Sequence, residues 1–151
     1  MKPWLKWLEI LSGVITMAVK LRPFRLLITG SREWEDIERI WWALSKIHEK
    51  IGPREGVLIH GTARGVDQMA AGHWLSIMNS AKRLGPRRIE GYPANWDTFG
   101  NRAGHKRNAH MVSLGANLCL AFIRNKSVGA TDCARRAEKA GIRTIRLRDD
   151  S

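Results

Sequence analysis

Short apolar runs alternate with longer amphipathic stretches along most of the chain. The run RLLIT at 25–29 ends at Gly30 and reads as a buried strand. After it, Ile37, Ile40, Trp41, Leu44, Ile47, His48 and Ile51 recur at helical spacing. Asp36 stands where an N-cap belongs, and Gly52 and Pro53 stop the helix. VLIH at 57–60 is a second strand, broken by Gly61 and Gly65, and Val66, Met69, Ala70, His73, Trp74 and Ile77 mark one face of the next helix. A weaker third strand covers 88–92. The stretch PANWDTFGNRAG at 93–104 is rich in turn residues and is expected to be the longest loop, a place where binding residues are often carried. Residues 102–114 read as a helix ending at Gly115. NLCLAFI at 117–123 is the most continuous apolar run, suited to the centre of a parallel sheet. A helix over 131–140, closed by Gly141, precedes a last strand at 142–147. Strands separated by helices predict an α/β, Rossmann-like three-layer fold with a mainly parallel five-stranded sheet and right-handed crossovers.

The first 22 residues follow a different pattern. Trp4, Trp7, Leu8, Leu11, Ile15 and Ala18 fall near one helical face, which predicts an N-terminal amphipathic extension before a domain at 23–151. Lys6, Glu9 and Lys20 leave 10–19 as the longest uncharged stretch, too short for a transmembrane segment. No small-residue cleavage site follows, so a signal peptide is not indicated. The extension is expected to pack on the body, on another subunit or on a membrane surface. Met17 offers an alternative start, which would make the residues before it dispensable.

Composition narrows the function classes. The 151 residues are 44% hydrophobic and 26% charged, enough apolar material for a real core and too much for a disordered chain. Cys119 and Cys133 lack metal-ligand or CxxC spacing and read as reduced packing residues of a cytoplasmic protein. His48, His60, His73, His105 and His110 form no HExxH pattern, so no metal site is expected and no cofactor is required. Lys and Arg exceed Asp and Glu by a formal +12, which attracts phosphates, nucleotides or nucleic acid without choosing among them.

Three strand ends lead into turns of one chemical kind: TGSR at 29–32, HGTARG at 60–65 and RNKSVGAT at 124–131. Each combines glycine, which lets backbone approach a ligand, with a hydroxyl and a cation, and each precedes a helix whose free N–H groups favour an anion. With strand order 3-2-1-4-5, the sheet reverses direction between the first and fourth strands. Residues 30–32 and 124–131 then face each other across one crevice, with HGTARG beside them.

The stretches TGSREW, HGTARGVDQMA, YPANWDTFGNRAGHKRNAHM and AFIRNKSVGATDCARRAEKAG resemble the SLOG superfamily, in its YspA-like branch related to the YpsA proteins. The resemblance covers about residues 25–147. It implies a Rossmann-like domain of bacteria and phages that binds a nucleotide or nucleotide-derived ligand, forms homo-oligomers and works in defence or signalling. Carried over by position, it places Gly30, Ser31 and Arg32 in the first phosphate-side turn. Gly61, Arg64, Gly65 and Asp67 fall in the second, Arg107 and Asn108 in the AGxxRNxxM element, and Ser127, Gly129 and Thr131 in the glycine-rich turn after the fourth strand; Thr62 and Lys126 join these ligand-binding candidates from the turns themselves.

The chain also departs from the related phosphoribohydrolases, whose PGGxGTxxE element carries a catalytic Glu. Here the corresponding run is RNKSVGATDCA, with Cys133 or Ala134 where the acid would fall. No catalytic residue is therefore assigned. Asp67 and Asp132 are the candidates, though Asp67 equally complements a helix dipole, and Thr131 and Asp132, read as the first residues of a helix, equally act as caps. Trp34 and Trp96 are candidates to stack on a base or to cover the core edge. His60 reads as a strand-end residue hydrogen-bonded locally. Three functions stay open: a nucleotide-binding module, a nucleotide N-glycosidic hydrolase, and a nucleic-acid binder using Arg135, Arg136, Lys139, Arg143, Arg146 and Arg148.

Overall fold

The computed structural model describes residues 2–80 and 84–149. In chain order the elements are α1 (Pro3–Leu21), β1 (Phe24–Gly30), α2 (Ile37–Ile51), β2 (Gly56–His60), α3 (Val66–Ser80), β3 (Arg87–Gly91), α4 (Trp96–Phe99), a single 3-10 turn (Gly100–Arg102), α5 (Ala103–Ser113), β4 (Leu118–Arg124), α6 (Val128–Lys139) and β5 (Thr144–Asp149). The strands form one parallel sheet in the order β3-β2-β1-β4-β5. The fold is thus the α/β, Rossmann-like three-layer class, with the direction of winding reversed between β1 and β4.

Alternation along the strands distributes the core to both faces of the sheet. Leu26, Ile28, Leu58, Leu120 and Phe122 pack on one side with Ile40 and Leu44 of α2 and Ala70 and Trp74 of α3. Leu27, Val57, Ile59 and Cys119 face the other way, against Met111 and Val112 of α5 and Cys133 and Ala137 of α6. Ala121, Ala130 and Ala134 bring α6 close to β4. Cys119 and Cys133 are free and buried, and burial pushes both thiols up, Cys133 to about 11. That suits packing rather than nucleophilic chemistry. Trp34 is also a core residue, 1% exposed, with its ring edge-on to Phe122.

Two local expectations are corrected. Residues 93–104 are not one long loop: Asn95 caps α4 by accepting the Thr98 N–H, and the 3-10 turn runs directly into α5. Helix α6 begins at Val128 rather than at 131, with Ser127 at its N-cap position. Thr131 and Asp132 therefore lie inside the helix, one turn beyond the place where they would cap it.

The amino-terminal helix α1 ends at Leu21, just before β1. The side chains of residues 3–15 and 17 are all exposed. Among the described residues no helix is long and apolar enough to cross a membrane.

Candidate functional site

The ends of β1 and β4 are joined by one side chain. Ser31, 1% exposed, donates its N–H to the Phe122 carbonyl, while its Oγ accepts the Arg124 N–H at 2.7 Å and donates to the Arg124 carbonyl at 3.1 Å. Its hydroxyl is therefore occupied in holding the switch point together. Gly30 serves packing here: a Cβ at that position would lie 2.2 Å from the Val66 side chain. The first turn also does not lead straight into a helix. Residues 33–36 intervene, and α2 is capped by its own Asp36.

The second turn is held from inside. Asp67, on the first turn of α3, accepts the Gly61 N–H at 2.9 Å and the Ala63 N–H at 3.2 Å on the same oxygen. Thr62, at a positive φ of 58°, donates its N–H to His60 Nδ1. Successive amides that would have suited a phosphate are thus occupied by protein acceptors. Burial drives the Asp67 carboxyl up, and although the Ala63 and Gly61 N–H groups and the Arg107 and Arg32 charges pull it back, it remains at about 6. Gly65, at φ 79°, sits against the Ser31 and Arg32 carbonyls, where a Cβ would come within 2.6 Å.

Arg107 braces this turn from α5. Its guanidinium donates to the Gly61 carbonyl, and its Nε to Asn108 Oδ1 at 3.0 Å. Asn108 in turn donates to the Gly129 carbonyl at 3.1 Å and to Asp132 at 3.2 Å, linking α5 to α6. Asp132 also receives Arg136 Nε at 2.9 Å, Arg135 at 3.0 Å and His105 at 3.1 Å. Burial alone would raise its carboxyl, but hydrogen bonds from Arg136, Asn108, His105 and Arg135 hold it at about 2. A carboxylate so engaged is ionised at neutral pH and has no proton to give.

The turn after β4 has the open donors. Asn125 and Lys126 both adopt positive φ, 50° and 54°, and the Ser127 N–H donates to the Arg124 carbonyl. This is a type I′ geometry with lysine where glycine is favoured, so the turn carries backbone strain. It delivers the chain into α6, where Ser127 makes no side-chain cap and the first helical bond runs from the Thr131 N–H to the Ser127 carbonyl. The amides of residues 128–130 have no acceptor within the helix, and the helix dipole adds positive potential there.

Between these turns lies a cleft of about 420 Å³ at the carboxyl ends of β1 and β4. It brings together Gly30, Ser31, Arg32, Asp67, Arg107, Asn108, Ser127 and Gly129 of the residues expected from sequence. Gly61, Thr62, Arg64, Gly65, Lys126 and Thr131 lie outside its lining; Arg64 instead pairs with Glu33 on the surface at 2.7 Å. Trp96 lines the cleft, and Arg32 rests 5.8 Å from its ring centroid. Among the described residues Arg32 makes no ion pair, whereas Arg124 is already braced by Glu35 at 3.1 Å and the Glu33 carbonyl at 2.8 Å. Asn101, Gly104 and His105 also line the cleft and were not singled out as site residues. The turn-rich composition of 93–104 was the signal that would have found the first two. Of the basic residues considered for nucleic acid, Arg135 and Arg136 are tied to Asp132, and Arg146 to Glu138 at 2.9 Å.

Fold and cleft together define a Rossmann-like α/β protein with a basic, amide-bearing crevice at the switch point of its parallel sheet. The chain belongs to the YspA, cpYpsA-related SLOG family, whose profile matches residues 24–74. It is similar to the Gene 61 protein of Mycobacterium phage D29, 40% identical over 126 residues, an alignment that covers 83% of this chain and 97% of that protein.

Proposed function

We propose that the cleft binds a nucleotide or nucleotide-derived phosphorylated ligand, and that recognition is the protein's task. The observation that carries this reading is the uncapped start of α6, with Ser127, Gly129 and Ala130 in the cleft wall and, on the same wall, Arg32, which makes no ion pair among the described residues. A phosphate there is held by amide donors, a helix dipole and a guanidinium together. Trp96, half exposed on the same wall, offers an apolar face for a base. The ligand acts within one chain or within a homo-oligomer, and the reading needs no further cofactor.

Thermal unfolding against a panel of nucleoside phosphates tests this. A ligand at a hundredfold excess over its Kd is expected to raise Tm by about 5–10 °C. Arg32→Ala, which alters an exposed side chain, is expected to weaken binding about 10- to 100-fold while leaving the unliganded Tm unchanged. If no member of the panel moves Tm, and denatured protein releases no nucleotide detectable by mass spectrometry, the reading fails.

One observation favours a second reading, an N-glycosidic hydrolase. Asp67 is a buried cleft carboxyl at about 6, so both its acid and base forms are populated near neutral pH, as general acid–base work requires. Nucleoside monophosphates should then release ribose 5-phosphate, and Asp67→Asn should lower that rate about 100-fold or more. Flat time courses for wild type and variant alike leave binding as the function.

A further inference from the structure

The cleft gives no account of α1. On a helical projection of residues 2–17, Lys2, Lys6, Glu9 and Gly13 fall on one narrow strip, and Trp4, Leu5, Trp7, Leu8, Ile10, Leu11, Val14, Ile15 and Met17 occupy the remaining arc, interrupted by Ser12. That arc spans roughly two-thirds of the circumference. These apolar side chains are 40–65% exposed, so the body of the protein does not cover them. The family match begins at residue 24, after the helix has ended.

Width and charge together select what does cover it. A two-stranded coil buries only a narrow seam, which would leave much of this arc in water. Two copies of a chain with net charge +12 also repel each other. An anionic lipid surface meets both conditions. A helix lying in the interface plane immerses a broad apolar arc, Trp residues favour the headgroup level, and Lys2, Lys6 and Arg22 outnumber Glu9 among the described charges at this end of the chain. Lys6 and Glu9, inside the helix, oppose a spanning orientation. The attachment is also directional. Because α1 joins the amino-terminal end of β1 and the cleft lies beyond the carboxyl end, the seven residues of β1, about 23 Å, separate the end of α1 from the cleft.

We propose that α1 is a surface anchor that lies in the plane of an anionic lipid membrane, its apolar arc among the acyl chains and its lysines at the headgroups, with the nucleotide cleft facing away.

Flotation of the full chain with vesicles tests it, using phosphatidylcholine alone and phosphatidylcholine mixed with phosphatidylglycerol. Partition onto the anionic vesicles is expected to exceed that onto the neutral ones by about tenfold or more and to fall with added salt. Trp7→Glu combined with Leu11→Glu should abolish it, with Tm unchanged because both side chains are exposed. Lys2→Glu combined with Lys6→Glu should reduce it to the neutral-vesicle level. Absence of binding to either vesicle, or equal binding by wild type and the Trp7/Leu11 variant, overturns the proposal. So does a lipid-free oligomer, seen by light scattering, that the Trp7/Leu11 variant dissociates, since α1 would then be covered by a second copy.

Discussion

Replacing Gly30 by alanine is expected to destabilise the protein by about 3 kcal/mol, at the upper end of ordinary overpacking effects. A Cβ built on Gly30 lies 2.2, 2.4 and 2.7 Å from Cγ2, Cβ and Cγ1 of Val66, and neither partner has room to withdraw. Gly30 is held in register with Phe122 in the interior of the sheet. Val66 is fully buried at the start of α3, and its branched side chain has one strongly preferred rotamer in a helix. Relief therefore requires α3 to move off β1, which would also displace Asp67 from the turn it holds. Urea unfolding should show a lower midpoint with an unchanged slope. The cause can be isolated with Val66→Gly, which removes all three offending carbons and has its own cavity cost. In that background Gly30→Ala should cost less than about 1 kcal/mol, a strong departure from additivity. An undiminished cost in the Val66→Gly background would mean that some other contact excludes a side chain at Gly30.

This glycine shows where sequence reading succeeded and where it stopped. The motif placed Gly30 in a turn that the structure brings to the cleft wall, and the alternation of apolar runs with helical periods was enough for the α/β class; the strand order 3-2-1-4-5 was a supposition that the sheet matches. Asp36 could be recognised as a cap because its helix is long enough to show a period. The segment at 93–104 could not, because a four-residue helix has no period and its capping residues, Asn95 and Gly100, are the same residues that mark loops. The beginning of α6 was hidden in the same way, since Gly129 within the first turn reads as loop. The larger gap concerns hydrogen-bond partners. Gly61, Thr62 and Ala63 look like free amides in the sequence, yet Asp67 and His60 fold back to accept all three. Composition identifies a turn that can bind an anion. It does not reveal whether a nearby side chain has already taken the donors, which is why the open donors are found at α6 and not at HGTARG.

Between pH 6.5 and 4, two opposed protonations are expected to act on the stability of the protein, separable by single substitutions. His48 is buried, stacks on His73, lies tilted against Trp74, and accepts Arg87 Nε at 2.9 Å on Nδ1, while the rest of that guanidinium donates to the carbonyls of Gly52, Arg54, Gly85 and Pro86. Burial first, then the Arg87 and His73 charges, lowers His48 to about 4. Above 6.5 it is neutral in both states. Below 6.5 the unfolded chain takes a proton that the folded chain refuses until about 4, so about 3 kcal/mol of stability is lost across that interval. Burial also lowers His73, and burial with the Arg107 charge lowers His60, both with the same sign. Asp67 runs the other way. Its folded carboxyl, at about 6, takes up a proton before the unfolded one, at 3.8, so acidification returns about 3 kcal/mol over nearly the same interval. In wild type these two contributions therefore largely offset each other. Asp67→Asn, which keeps an acceptor for the Gly61 and Ala63 amides but cannot titrate, should fall about 3 kcal/mol more steeply. His48→Gln, which keeps an acceptor for Arg87, should lose about 3 kcal/mol less than wild type over the same interval. Urea midpoints at pH 7.5, 6.5, 5 and 4 decide the matter, and parallel profiles for the three proteins would show that neither group controls the response.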